Sequence, residues 1–355
     1  MNVIPSESAL PATPEQQPVV TGLAAYQQAH RSAVLIDHSA AFGRFELVDR
    51  DRLDLLHRMS TNDTNGLHEG EGLATVLTTA LARIIDQLVV YHMGDTALAI
   101  SGPGMLRPVR LWLQKHIFFN DKIKTRDVSA ELAQLGLYGP HAAAIADQIA
   151  PGAASLAVHH FQAAATPTGA RLLVARTFPV AGDGYWIFVP AAERAAVLGW
   201  VQTLQLPEGV GHALQTDATT YQVLRIESGV PEAGHELTEE YIPLEAGLWD
   251  AVSFSKGCYI GQEIIARMES RNKLARVLVG LEMRLPNGAA LPTTGSAITA
   301  EGKTVGTLTS IAQHPIEGDR YIALGYVRTE AVGKPLTSAS IDLRVVHNAS
   351  PGRPT

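Results

Sequence analysis

The chain has 355 residues, 46% of them apolar and 18% charged, with a formal net charge of −7. Such a composition is globular and long enough for two or three domains, and the negative balance excludes a broad nucleic-acid surface. One cysteine excludes an intrachain disulfide framework and a cluster held by four of the chain's own thiolates, and it points to a reducing compartment.

Residues 1–20, rich in Pro, Glu, Gln and Ser, read as a disordered tail and not as a signal peptide. No run of 18 apolar residues occurs, so no membrane span is expected, and the plain expectation for location is the cytoplasm. A short helix is predicted from Tyr26 to His30, and the alternation of Phe45 and Leu47 predicts a strand over Gly43 to Val48. Asp49 is the expected cap of a helix whose Leu53, Leu56 and Met59 fall at helical spacing. That helix ends at Ser60-Thr61-Asn62-Asp63, a cluster of turn formers.

From Leu73 to Ser101 the pattern predicts three strands, broken at Ala80–Arg83 and at Gly94-Asp95. Pro103 suits the first turn of a helix running to about Phe119. A strand and a helix follow between Leu135 and Ile149, and Ala150 to Ala170 reads as a loop. Strands are predicted at Arg171–Arg176 and Tyr185–Val189, and a helix at Ala191–Thr203. Hairpins and helices in this order indicate an α+β class. After Lys273 five short β segments separated by Gly, Pro and Asn turns predict a small barrel or sandwich. The expected organisation is therefore a tail (1–20), a large α+β unit of two subdomains (21–272) and a C-terminal β-barrel (273–348).

The densest chemical signal is Lys256-Gly257-Cys258-Tyr259-Ile260-Gly261-Gln262-Glu263. Gly257 and Gly261 bracket the only thiol, and Ile264, Ile265 and Met268 at helical spacing place Cys258 just before a helix N-terminus. The positive end of that helix and the cation of Lys256 would both favour the thiolate. The alternative for a lone cysteine is a small buried hydrophobe. The 13 histidines are scattered without metal-ligand spacing, so no metal site is expected.

The string KGCYIGQE resembles the signature of the YgfZ/GcvT-like folate-binding family, which shares its fold with the aminomethyltransferase, or T-protein, of the glycine cleavage system. The likeness extends to Arg225-Ile226-Glu227-Ser228-Gly229, to Ile242–Leu248 and to the Thr61-Asn62-Asp63 turn. It implies a multi-subdomain fold around a central site for tetrahydrofolate or a one-carbon derivative. By the same likeness Glu227 meets the pterin, with Arg225, Asn62, Asp86, Gln87, Tyr91 and Lys256 around the folate. Cys258 and Lys256 are then the catalytic candidates, set in a motif with Gly257, Tyr259, Gly261, Gln262 and Glu263.

The chain departs from the T-protein pattern at Asp86-Gln87. T-proteins carry two adjacent aspartates there, and the catalytic one falls on Gln87, whose amide cannot ionise. Strand alternation predicts that Asp86 points to the opposite face. The resemblance therefore implies assembly, maintenance or repair of iron–sulfur clusters in client proteins, with folate and those clients as partners. Alternatives are a folate-dependent aminomethyltransferase and a non-catalytic folate sensor.

Overall fold

The computed structural model describes residues 19–206, 211–271 and 273–348; the expected tail lies outside it except for its last two residues. Of those, Val20 forms a bridge to Thr216, so order reaches into the segment read as tail. The first elements are α1 (Gly22–Arg31), β1 (Val34–Asp37), β2 (Gly43–Val48), α2 (Arg52–Met59), β3 (Gly72–Thr78), β4 (Ile84–His92), β5 (Thr96–Ser101) and α3 (Leu106–Gln114). Next come β6 (Lys124–Asp127), β7 (Leu132–Gly139), α4 (Ala142–Ile149), β8 (Phe161–Ala165), β9 (Arg171–Thr177), β10 (Asp183–Pro190), α5 (Arg194–Thr203), β11 (Leu214–Thr216) and α6 (Ala218–Glu227). After α7 (Gln262–Arg271) the chain is β: β12 (Arg276–Arg284), β13 (Ala297–Ala300), β14 (Lys303–Gln313), β15 (Arg320–Arg328), β16 (Leu336–Ser338) and β17 (Ile341–Asn348).

Two sheets build the large unit. One is five-stranded, in the order β3-β4-β5-β2-β6, and antiparallel throughout; the other is six-stranded, in the order β11-β1-β7-β10-β9-β8. Strand alternation gives each sheet two apolar faces. Val89, Tyr91, Leu98 and Ile100 of the first sheet meet Ile36, Tyr138, Trp186 and Phe188 of the second in a shared core. The outer face of the five-stranded sheet, with Leu47, Leu88 and Val90, is covered by α2 and α3. On the outer face of the six-stranded sheet, Leu135, Leu137 and Ile187 take α4 and α5. The result is a four-layered sandwich of helices, sheet, sheet and helices.

Six strands close the C-terminal barrel in the order β12-β15-β14-β13-β16-β17. It docks through Leu278, Ile322, Leu324 and Tyr326, which pack with Val76, Ile84, Ile226 and Leu237. Tyr241 stacks on Tyr326 with ring centroids 3.4 Å apart. A buried ionic tie crosses the same joint. Arg225 bonds Glu236 at 3.0 Å and Ser310 at 2.9 Å, while Glu236 also accepts from Thr309 and Ser310 of β14.

Most strands stand where the pattern placed them, but four expectations change. Asp49 does not cap α2: it has a left-handed backbone (φ 84) at the strand exit, and Asp51 occupies the cap position. The helix after Pro103 starts only at Leu106, because Gly104 takes a positive φ of 72, and it stops at Gln114. β8 lies inside the stretch read as loop; its small residues, Ala163 to Ala165, pair with β9 all the same. The barrel has a sixth strand, β16, whose three residues are too few to show alternation.

Breaking the buried tie tests its weight. Arg225→Met leaves the carboxylate of Glu236, fully shielded from solvent, without its cation. The variant is expected to lose about 3–5 kcal/mol in urea unfolding, and Arg225→Met/Glu236→Leu to recover much of that loss.

Candidate functional site

A narrow cavity of about 50 Å³ opens where the two sheets meet α6 and the segment after it, with Phe42, Asp86, Gln87, Trp186, Tyr221 and Glu232 around it. A wider outer space of about 560 Å³ shares Gln87, Phe178, Val230 and Pro231 with it and adds His159 and Asp250. Gln87 thus stands where the two join. The walls are mostly aromatic and apolar with few polar groups, as small-molecule sites are.

Asp86 is also among the residues around the narrow cavity, though it is fully buried. The regular ladder pairs it with Leu77 and pairs Gln87 with Val76, so the two side chains take opposite faces of β4, as alternation predicts. Pairing of β4 with β5 begins only at Val89 opposite Ile100, which leaves Asp86 laddered to β3 alone. Its Oδ2 accepts the Gly102 amide at 3.0 Å in place of a ladder bond. Its Oδ1 is buried and has no hydrogen-bond partner among the described residues. A side chain at Gly102 would lie 2.8 Å from that oxygen and 2.6 Å from the Ala233 Cβ, so only glycine fits. Burial pushes the Asp86 carboxyl up to about 7, opposed by the Gly102 and Gln87 amides but by no cation.

His159, in the outer space, is nearly as dry. Burial pushes its imidazole down to about 4, its Nδ1 has no partner among the described residues, and its ring packs edge-on against Phe178. Glu232, Tyr221, Trp186 and His159 were not singled out from the sequence. Tyr221 and Trp186 show only helix and strand spacing, Glu232 and His159 lie between elements, and nothing local marks a cavity wall.

The KGCYIGQE segment forms a second locus. Lys256 Nζ donates to the carbonyls of His57 (2.5 Å), Ser60 (2.7 Å) and Asn62 (2.7 Å), and lies 4.8 Å from the Tyr259 ring centroid. Its ammonium is therefore committed to the turn after α2 and does not serve the thiol, which corrects that expectation. Burial draws the Lys256 pKa down to about 8, with Asp63 opposing. Asn62 is equally committed: its amide donates to the Ala74 and Asp250 carbonyls. Thr61 completes the lacing, accepting from Val76 and donating to Ala251.

Only one of the two bracketing glycines has a left-handed backbone. Gly261 (φ 85) sits so close to the β3–β4 hairpin that a Cβ would approach Thr78 Oγ1 and Thr79 O to 2.9 Å. Thr78 donates to the Ile260 carbonyl, and Tyr259 is buried with Ile242, Trp249 and Ile265. Gln262 and the exposed Glu263 open α7. Amid this packing Cys258 is exposed, so it is not the buried hydrophobe of the alternative.

The remaining expected site residues lie elsewhere. Glu227 ends α6 and faces α1, accepting from Tyr26 Oη (2.7 Å) and bonding His30 Nε2 (2.9 Å). Burial pushes its carboxyl up, but those two bonds outweigh burial and hold it below the usual range. It is not among the residues lining either space. Arg225 is enclosed by Gln222, Glu236 and Ser310 in the barrel joint. Tyr91 is buried between the sheets against Phe161 and Phe188, and its hydroxyl has no partner among the described residues. Of the set, Asp86 and Gln87 share the inner cavity, Asn62 and Lys256 share the turn, and Glu227, Arg225 and Tyr91 stand apart.

The fold is α+β, with a cavity between two sheets and a closed C-terminal barrel docked on the larger unit. Residues 11–256 match the model of the GCVT N-terminal domain, and residues 276–349 that of the glycine cleavage T-protein C-terminal barrel domain. The chain belongs to this T-protein family. It is 31% identical over 308 residues to a chloroplastic Arabidopsis thaliana protein whose name ascribes a transferase role, covering 86% of this chain and 68% of that one. It is 31% identical to the aminomethyltransferase of Bacillus licheniformis, covering 77% and 73% of the two chains. For the aminomethyltransferase of Symbiobacterium thermophilum the identity is 29%, over 84% and 80%. The crystal structure of the glycine cleavage system aminomethyltransferase T from Bartonella henselae superposes with a TM-score of 0.74 at 20% identity, over 92% of this chain and 88% of that one, a likeness of fold.

Two measurements check this geometry. Lys256→Met leaves three carbonyls without their donor and is expected to cost roughly 3 kcal/mol in urea unfolding. The buried Asp86 binds a proton in the folded state that the unfolded chain releases near pH 4. Wild-type stability relative to Asp86→Asn should therefore fall by about 1.4 kcal/mol per pH unit between pH 4 and 7 and level off above. A flat difference across that range would contradict the burial of this carboxyl.

Proposed function

We propose that this chain binds a reduced folate, tetrahydrofolate or a one-carbon derivative, in the inter-sheet cavity, and serves iron–sulfur client or assembly proteins through Cys258. The observation that carries this reading is Gln87, an amide on the cavity wall where the T-protein pattern has its catalytic aspartate. Aminomethyl transfer by the usual route needs an ionisable carboxylate there, and an amide cannot ionise. What remains is a ligand chamber and an exposed thiol, the combination that the likeness to the YgfZ-type signature implies. Phe42, Trp186 and Phe178 offer flat apolar faces suited to a planar heterocycle. The acidic net charge fits a small-molecule ligand and protein partners better than nucleic acid.

A second reading, a folate-dependent aminomethyltransferase, is favoured by the names of the relatives from Bacillus licheniformis and Symbiobacterium thermophilum. It differs in what it requires: turnover of an aminomethyl donor with tetrahydrofolate.

Tetrahydrofolate titrated into the purified chain should bind and resist displacement by Cys258 alkylation. In a strain lacking the corresponding protein, the wild-type chain should restore cluster-dependent enzyme activity, and Cys258→Ala, folded and folate-binding, should not. Full restoration by Cys258→Ala would sink the thiol's role, and release of formaldehyde-level product from an aminomethyl donor would establish the second reading.

A further inference from the structure

Away from the cavities, the turn between α3 and β6 stands out by what it exposes. The chain passes there through Ile117-Phe118-Phe119-Asn120-Asp121, and Phe118 is 61% and Phe119 103% exposed. The turn is well tied. Asp121 Oδ2 accepts the Phe118 amide at 2.8 Å and Arg58 Nη2 at 3.0 Å, and the Asp121 amide donates to the Phe118 carbonyl at 3.0 Å. Asp51 accepts the Lys122 amide at 2.7 Å, and Ile123 is buried in the core under α2 and α3. The Arg58 guanidinium lies 5.4 Å from the centre of the Phe118 ring. An ordered turn thus holds the Phe119 ring in water, where its apolar surface gains nothing from the fold.

The charges flanking the two rings are nearly all of one sign. From Arg107 to Lys124 the chain carries five cations and one carboxylate, although its net charge is −7. Lys115, Lys122 and Lys124 are exposed, and the nearby carboxylates are engaged by other cations. Arg58 takes Asp54 and Asp121, Arg50 takes Asp51, and Arg110 lies 3.8 Å from Asp127. We propose that this turn is a peripheral membrane contact, in which Phe118 and Phe119 enter the interfacial layer of an anionic bilayer and the three lysines meet its headgroups. The choice of a lipid surface over a protein partner follows from what flanks the rings. Lysine is depleted at protein interfaces, where arginine and aromatic residues carry the contact. An apolar tip flanked by lysines matches a plane of anionic headgroups over hydrocarbon, because each lysine stem lies along the apolar layer while its ammonium reaches the phosphates. Apolar insertion and electrostatic attraction together give a reversible attachment. No helix among the described residues is long and apolar enough to cross a membrane, and this contact needs none. The inference does not depend on the folate reading.

The test is flotation of the purified full chain with vesicles of phosphatidylcholine, alone or with about 30 mol% phosphatidylserine. At about 0.1 M salt the wild type should bind the anionic vesicles about tenfold more tightly than the neutral ones, and about 0.5 M salt should release it. Phe119→Ser should weaken that binding several-fold, and Phe118→Ser/Phe119→Ser should abolish it. Lys115→Gln/Lys122→Gln/Lys124→Gln should remove the preference for anionic lipid. Backbone hydrogen exchange of the wild type should slow at residues 117–122 when anionic vesicles are added, a readout that requires no variant to fold. Failure of the wild type to bind anionic vesicles overturns the proposal and leaves the tip to a protein partner. Binding that is unchanged in Phe118→Ser/Phe119→Ser, or protection that maps to other residues, overturns it as well, because another surface would then hold the bilayer.

Discussion

A single ammonium group ties together two parts of the chain that lie almost two hundred residues apart. Lys256 reaches from the segment before α7 into the turn after α2 and takes three carbonyl oxygens there. A helix C-terminus leaves carbonyls without intrahelical donors, and a lysine satisfies them while complementing the negative end of the helix. Around that point Thr61 and Asn62 lace the turn to β3 and to residues 250–251, and Gly261 lets α7 press onto the β3–β4 hairpin. The glycines, the lysine and the tyrosine of the motif are thus largely consumed in building the fold. Cys258 is the residue left facing solvent.

The cavity follows from a different constraint. Two sheets that face each other must fill the space between them. Here they do so with Tyr91, Trp186, Phe188 and their neighbours, except where β4 has lost its β5 partner. At that unpaired end Asp86 replaces a backbone acceptor with its own carboxylate oxygen, and Gly102 and Ala233 close over it. The polar groups that result are few and dry. Burial favours the neutral form of His159 as well, and the other carboxylates around the two spaces are Glu232, which Arg225 balances, and Asp250.

The barrel is fixed to the rest by charge as well as by apolar packing. Arg225, Glu236, Thr309 and Ser310 form a satisfied buried network between α6, the segment after it and β14. Such a network adds little net stability over an apolar joint but penalises any other docking, because a shifted barrel would strand the charges. The family resemblance implied one site for Arg225 and Glu227. Being neighbours at the end of a helix sends them to different faces: one into the barrel joint, the other toward Tyr26 and His30.

What the sequence determined by itself was local. Period-two alternation located β3, β4 and β5, turn residues separated the barrel strands, and the KGCYIGQE string pointed to the wider T-protein family and marked the one thiol. These properties live within a few residues of one another, so they are written in order along the chain. The tertiary structure alone decided which polar groups face what. It turned Lys256 from the thiol to three carbonyls and set Glu227 against Tyr26 and His30, outside the cavity lining. Each outcome depends on a partner tens to hundreds of residues away, where sequence spacing carries no information about direction.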